Sequence, residues 1–437
     1  RANVLHQSKS ALAAVVCASA GLGESTQDVV LSGKTFITEM GEMIAEGKRF
    51  THEEQLTVGE IDIERLRHAR LENSVYKQCA QQQQTPGIVT TNLSAIATTD
   101  FTLTRRYPAL PFIPTDERER QERCEEIFNI QVEGLMKRLL HTHSDKAVIG
   151  ISGGLDSTLA LLVCVEGMRR LGRPATDIYG VTMPCFGTSD RTYQNSWDLM
   201  RKLGINAKEI SIKNAVTLHF EDIGHDKNIH NGTYENSQAR ERTQILMDYA
   251  SVVNGIVIGT GDLSELALGW CTFNGDHMSM YGVNGSIPKT LIRWIIEAVA
   301  DEDVFAPARE VLMDILDTPI SPELLPPDKT GKISQQTEDL VGPYALHDFF
   351  LFYALRYGFT PTKIYTMACR AFQDDFEPAV IKKWLRTFYW RFFTQQFKRN
   401  CMPDGVKIGS IGLGPRGDWT MPSDASGQVW LTEIESL

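Results

Sequence analysis

Between residues 147 and 259, short apolar runs alternate with longer segments of helical character, and few architectures accommodate that rhythm. The runs at 147–151, 178–183, 207–212 and 255–259 read as strands, and 156–171, 189–203 and 236–253 read as helices. Strand and helix in strict succession predict βαβ units, hence an α/β fold with a doubly wound parallel sheet. Ligands of such sheets bind beyond the carboxyl ends of the strands. The turns that follow 151 and 259 are therefore the first places to look for chemistry.

The first turn lies in AVIGISGGLDSTL at 147–159. Two glycines and two hydroxyls stand where a helix begins, and its free N–H groups and dipole favour an anion. Gly153 and Gly154 let a phosphate approach the backbone closely, while Ser152 and Ser157 donate hydrogen bonds. Asp156 repels a bare phosphate, so its presence predicts a bridging Mg²⁺. The bland alternative is a Gly-Ser turn before an ordinary helix. Leu159, Leu162, Val163 and Met168 give that helix its apolar positions.

The second turn opens GTGDLSELALGWCTFNGDHMSMYGVNGSIPKT at 259–290. Thr260 is placed to hydrogen-bond a nucleotide, and Glu265 to join Asp156 on Mg²⁺. Trp270 and Phe273 suit stacking on an aromatic ligand ring, with core packing as the competing reading.

A chain of 437 residues predicts two domains. The β-prone runs 29–31, 35–38 and 43–45 belong to the first, and prolines at 108, 111 and 114 mark an irregular connection. We expect domains at 1–85 and 115–437 joined by a linker at 86–114. Thr115 begins a helix, and beyond 286 the chain reads as mainly helical with a Pro-rich interruption at 317–327. The net charge of −11 disfavours nucleic-acid binding through a general positive field. No apolar run reaches membrane-spanning length, and no signal peptide is visible. Eight cysteines form no CxxC pair, which predicts reduced thiols and a cytoplasmic protein. Two motifs are decoys. Ser32–Thr35 ends like a phosphate loop but lacks its first glycine, and Gly412–Gly417 fits GxGxxG without a preceding strand.

SGGLDS at 152–157 resembles the pyrophosphate-binding loop of ATP pyrophosphatases. With the 259–290 run, ENSQARER at 235–242, DTPISPELLP at 317–326 and QFKRN at 396–400, it resembles glutamine-dependent NAD synthetases over about 120–420. Other pyrophosphatase-loop enzymes share SGGLDS but not the 259–290 and 317–326 runs. The resemblance implies amidation of deamido-NAD to NAD through an adenylate, with release of AMP and pyrophosphate, Mg²⁺ as cofactor and ATP as co-substrate. It also implies a homo-oligomer, with nitrogen from glutamine in the intact protein and from ammonia for these residues. No nucleic acid or membrane partner is expected.

Carried over position by position, the resemblance assigns ATP to Gly150, Ile151, Ser152, Gly153, Gly154 and Leu155, and to Asp156, Ser157, Thr260 and Lys289. Asp156, Ser152 and Ser157 are the expected catalytic residues, and Asp156 and Glu265 the metal ligands. Deamido-NAD falls to Asn236, Arg240, Glu265, Trp270 and Cys271, and to Thr272, Phe273, Asp276, His277 and Lys398. Residues 12–50 resemble the end of the family's nitrilase-like glutaminase domain, without its catalytic cysteine segment. Cys17, in an apolar run, reads as a core thiol.

Overall fold

The computed structural model describes residues 1–21, 23, 24, 27–82, 102–186, 190–318 and 340–437. They condense into two units: Arg1–Tyr107 with Tyr353–Ala371, and Pro108–Phe352 with Phe372–Leu437. The expected second domain ran unbroken from 115 to 437. Residues 353–371 instead join the N-terminal unit because their aromatic rings pack there. Tyr353 and Phe359 stack with centroids 6.0 Å apart, and Tyr107 meets Tyr353 edge-on at 6.1 Å. Of the expected linker, 86–101 lies outside the described residues, as does most of the Pro-rich interruption.

The N-terminal unit contains helix α1 (Ala2–Ser10), strands β1 (Ala14–Ala18), β2 (Thr35–Glu39) and β3 (Glu42–Glu46), and helices α2 (Ile63–Glu72) and α3 (Ser74–Gln82). The strands form an antiparallel sheet in that order, with a register shift between Ile37 and Thr38. Met40 and Gly41, both at positive φ (47° and 90°), make the tight β2–β3 turn. The buried Glu39 carboxylate accepts from the Asp62 amide (2.7 Å) and pairs with Arg65 (3.1 Å) and Arg105 (2.9 Å). The sequence reading found β2 and β3 but not the helices. The run 29–31 forms no strand.

The second unit carries helix α4 (Glu117–His141), then β4 (Lys146–Gly150), α5 (Leu155–Arg170), β5 (Ile178–Thr182), α6 (Asp190–Lys202) and β6 (Asn206–Glu209). Next come α7 (Lys213–Asp222), α8 (Gly232–Val253), β7 (Gly255–Gly259), α9 (Leu263–Leu268), β8 (Tyr281–Gly282), α10 (Lys289–Val299) and α11 (Arg309–Leu316). The sheet is parallel in the order β6-β5-β4-β7-β8, as expected of a doubly wound fold. Ala147 and Ile149 pack into the layer of Leu135, Leu159, Leu162 and Ile292, supplied by α4, α5 and α10. Between them Val148 joins Val257, Phe220 and Ala250 on the opposite layer. The period-two alternation of a strand thus feeds two cores, which is why β4 is apolar at every inner position.

Helix boundaries follow local chemistry. The Asp116 carboxylate accepts from the Glu119 amide at 2.9 Å and starts α4. Asn254 in the left-handed region (φ 56°) ends α8 and delivers the chain into β7. From β4 the chain proceeds outward through β5 to β6, then returns to β7 on the other side of β4. The strand order therefore reverses between β4 and β7, and a crevice opens beyond their carboxyl ends. SGGLDS and Thr260 both stand there.

Candidate functional site

After β4, the Ile151 amide still donates to Val181 O (2.9 Å), so sheet register holds the chain up to the turn. Gly153 then takes φ +88°, and a Cβ there would collide with the Thr192 carbonyl oxygen. Only glycine fits that turn. Ser152 Oγ lies 3.2 Å from Ser157 Oγ and accepts from the Gly154 amide at 3.2 Å. Ser157 Oγ donates to Gly154 O at 3.1 Å. Gly154 caps α5 without a side chain, which leaves the first-turn amides of a 16-residue helix facing the crevice.

Across the crevice, Lys289 gathers the acids. Its Nζ is 2.7 Å from Asp156, 3.0 Å from Asp262 and 2.9 Å from Glu265. One oxygen from each carboxylate lies within 4.8 Å of the other two. Burial alone would lower the Lys289 pKa, but Asp156, Asp262 and Glu265 carry it well above the ordinary lysine value. Burial, with help from Glu265, raises Asp262 against the pull of Lys289. Burial also lifts Glu265 to about 7 against Lys289, although 23% of its side-chain surface still faces the crevice. Asp262 was missed by the sequence reading: its Oδ1 caps α9 through the Glu265 amide (2.8 Å), and that capping role masks its place among the acids.

Three carboxylates against one ammonium leave two negative charges when all are ionised, which a divalent cation balances. Asp156 Oδ1 is buried with no hydrogen-bond partner, while its Oδ2 is held by Lys289. An orphaned carboxylate oxygen beside two further acids fits a hard, oxygen-seeking ion such as Mg²⁺.

Lys289 is itself positioned from behind. Its amide donates to Ser264 Oγ (2.8 Å), and that hydroxyl donates to the buried Asp348 carboxylate. Asp348 also accepts from the Thr290 amide (3.0 Å) and hydroxyl (2.7 Å), and burial lifts its pKa to about 6. The Tyr344 ring centroid is 5.3 Å from Lys289 Nζ. Neither Asp348 nor Tyr344 was visible in the sequence as a site residue.

The crevice is a cavity of about 500 Å³. Gly150, Ile151, Ser152, Gly153, Gly154, Leu155, Asp156 and Ser157 line it, as do Thr260 and Lys289. So do Asn236, Glu265, Trp270, Cys271, Thr272, Asp276 and Lys398. Thr272 Oγ1 donates to Asn236 Oδ1 (2.8 Å), and the Thr272 amide donates to Asp276 (2.7 Å). Burial raises Asp276 and pushes the Cys271 thiol up. Lys398, lowered by burial, donates to Gly269 O (2.8 Å) and Cys271 O (2.7 Å). Arg391 lies 5.1 Å from the Trp270 ring, so a cation backs the indole against the cavity.

A second cavity of about 730 Å³ shares Gly259, Thr260, Glu265, Cys271 and Asp276 with the first. His277 lines this one. Its Nδ1 accepts from the Asn274 amide (3.1 Å), which leaves Nε2–H to donate to Lys398 O (3.0 Å). Arg240 and Phe273 line neither cavity. Arg240 reaches the Phe273 carbonyl at 3.2 Å, while the Phe273 ring stacks on His277 with centroids 5.4 Å apart. Part of the glycine-rich 412–417 segment, a loop as expected, closes the second cavity.

Residues 127–311 match the NAD synthase family model. The chain is 42% identical to the glutamine-dependent NAD(+) synthetase of Mycobacterium leprae (strain TN), with 97% of this chain and 66% of the relative aligned. The corresponding protein of Mycobacterium tuberculosis (strain ATCC 25618 / H37Rv) is 41% identical over the same shares. The chain thus spans 66% of the length of these curated relatives. A crystal structure of a glutamine-dependent NAD(+) synthetase from Cytophaga hutchinsonii superposes with a TM-score of 0.59 at 16% identity, over 99% of this chain and 67% of that one, and shows a shared fold.

Proposed function

From the match of residues 127–311 to the NAD synthase family, we propose that this chain amidates deamido-NAD to NAD at the expense of ATP. The observation that carries the reading is the pairing of an exposed helix N-terminus with three acids gathered on Lys289 at the sheet's crossover. ATP lies along SGGLDS. The nicotinate carboxylate of deamido-NAD attacks the α-phosphorus, the bond to the β-phosphate breaks, and pyrophosphate leaves. Ammonia then attacks the acyl carbon of the adenylate, and AMP departs with the carboxylate oxygen.

Amides at the start of α5 donate to the departing pyrophosphate, and the hydroxyls of Ser152 and Ser157 do so once they turn away from each other and from Gly154 O. Asp156, Glu265 and Asp262 are the residues that would hold Mg²⁺, which neutralises phosphate charge when bound. Lys289 keeps those carboxylates clustered and presents a cation beside them. Deamido-NAD reaches from the wall of Asn236, Trp270, Asp276 and Lys398 toward the second cavity, bringing its nicotinate ring near Trp270. The N-terminal unit is read as the C-terminal part of a nitrilase-like glutaminase domain. The nitrogen enters as ammonia, whether free or derived from glutamine, and the assembly is a homo-oligomer.

The test is NAD formation from deamido-NAD and Mg-ATP with ammonium or glutamine as parallel donors. NAD and pyrophosphate appearing together with ammonium support the reading. Binding of both nucleotides with no turnover points instead to a non-catalytic module.

A further inference from the structure

Asn284 lies outside the expected ligand contacts and is fully buried. It sits between β8 and α10, yet its side chain reaches two distant stretches of backbone. Nδ2 donates to Asp156 O at 2.9 Å and to Thr260 O at 3.1 Å. Both N–H groups of the amide are thereby used, one on the first turn of α5 and one on the end of β7. Its Oδ1 accepts from Nε2 of the buried Gln131 (3.0 Å), and that nitrogen also reaches Val283 O at 3.0 Å. The orientation is fixed, because the reverse flip would set a carbonyl oxygen against two carbonyls.

The loop that carries Asn284 is pinned as well. The Ile287 amide donates to Asn284 O (2.8 Å), and the Leu263 amide donates to Ile287 O (2.9 Å). Two residues further on stands Lys289. One buried amide therefore ties the Asp156 turn to the Thr260–Glu265 turn, with the Lys289 turn as its base.

We propose that Asn284 is a positioning residue that sets the distance between Asp156 and the Asp262–Glu265 pair, and so the affinity of the acid cluster for a divalent cation. This rests on the reading of that cluster as the Mg-ATP site. Asn284 touches no substrate; it acts through the carbonyls of Asp156 and Thr260. Without it the two turns separate, and the three carboxylates no longer share one ion.

Two variants test this. Asn284→Leu keeps the shape and loses both donors. Asn284→Ser is smaller and retains one hydroxyl donor, for one of the two carbonyls. Wild-type and variant chains are titrated with Mg²⁺ at fixed ATP, reading both nucleotide binding by calorimetry and NAD formation with ammonium, and folding is checked by circular dichroism. A merely structural role lowers the active fraction but leaves the Mg²⁺ half-point unmoved. The expected result is a Mg²⁺ half-point raised at least tenfold in Asn284→Leu and less in Asn284→Ser, with KM for deamido-NAD within twofold of wild type. A folded Asn284→Leu chain with an unchanged half-point overturns the proposal and leaves the site reading intact. Mg²⁺-independent ATP binding by the wild-type chain overturns both.

Discussion

Replacing Lys289 with Met removes the only cation within 3.0 Å of Asp156, Asp262 and Glu265 among the described residues, while roughly preserving side-chain volume. Removing one partner of a buried ion pair costs about 3–5 kcal/mol, because the remaining charge stays desolvated. Here three acids are left facing one another, so the upper half of that range applies at neutral pH. In a unit of this size each kcal/mol lowers the melting temperature by about 2 °C, so the metal-free variant melts about 8–10 °C below wild type. Two conditions shrink the deficit. Acidification to pH 5 protonates Glu265, which burial lifts to about 7, and so reduces the repulsion. Millimolar Mg²⁺ replaces the lost positive charge and binds the folded state preferentially. The assay is differential scanning fluorimetry of both chains at pH 5 and 7.5, with and without Mg²⁺. A metal-free Lys289→Met chain melting within 2 °C of wild type at pH 7.5 would refute the reasoning. So would a deficit indifferent to both pH and Mg²⁺.

Asp156→Asn keeps the fold but loses a charge of the proposed metal cluster, and NAD formation falls on the order of 10²–10³-fold at saturating ATP and Mg²⁺. Gly153→Ala forces a Cβ toward the Thr192 carbonyl at φ +88°, so the loop shifts and KM for ATP rises at least tenfold, measured by steady-state kinetics. Asp348 gives a pH signature in the metal-free protein. Burial lifts its pKa to about 6 from 3.8, so between those values the folded state holds more proton than the unfolded. Its contribution is therefore fully present below about pH 4 and lost as pH rises through 6, on the order of 3 kcal/mol in all. The neighbouring His347, lowered to about 4 by burial, acts with the opposite sign, so the comparison must be wild type against Asp348→Asn. Denaturant unfolding from pH 4 to 7 should show the variant losing less stability than wild type as pH rises; parallel curves would contradict the assignment.

Local sequence carried much of this architecture. β4, β5 and β7 announce themselves as apolar runs, and SGGLDS marks the turn through glycines that no other residue can replace at 153. Strand β6 ran shorter than expected, 206–209 against 207–212, because pairing with β5 stops at Glu209. The acid cluster was half legible: Asp156 and Glu265 stand in glycine- and hydroxyl-rich turns, whereas Asp262 reads as a helix cap. What remained hidden depends on contacts between residues far apart in the chain. Lys289 meets Asp156 across 133 positions, Asn284 meets Asp156 across 128, and Asp348 meets Ser264 across 84. No local periodicity encodes such pairs. Phe273 shows a different limit: its aromatic character says nothing of its neighbours, and the ring packs on His277 and Phe397 outside both cavities. The packing of residues 353–371 is hidden for a related reason, since the stacking of Tyr353 on Phe359 gives no sign in sequence of the unit it joins.

The central claim is that the crevice beyond β4 and β7 activates the carboxylate of deamido-NAD by adenylation. Isotope exchange reads that step alone. The chain is incubated with ATP, Mg²⁺ and labelled pyrophosphate, with and without deamido-NAD, in the absence of any nitrogen donor. The account predicts label entering ATP only when deamido-NAD is present, and loss of that exchange in Asp156→Asn. Exchange that proceeds without deamido-NAD, or none with every component present, would contradict it.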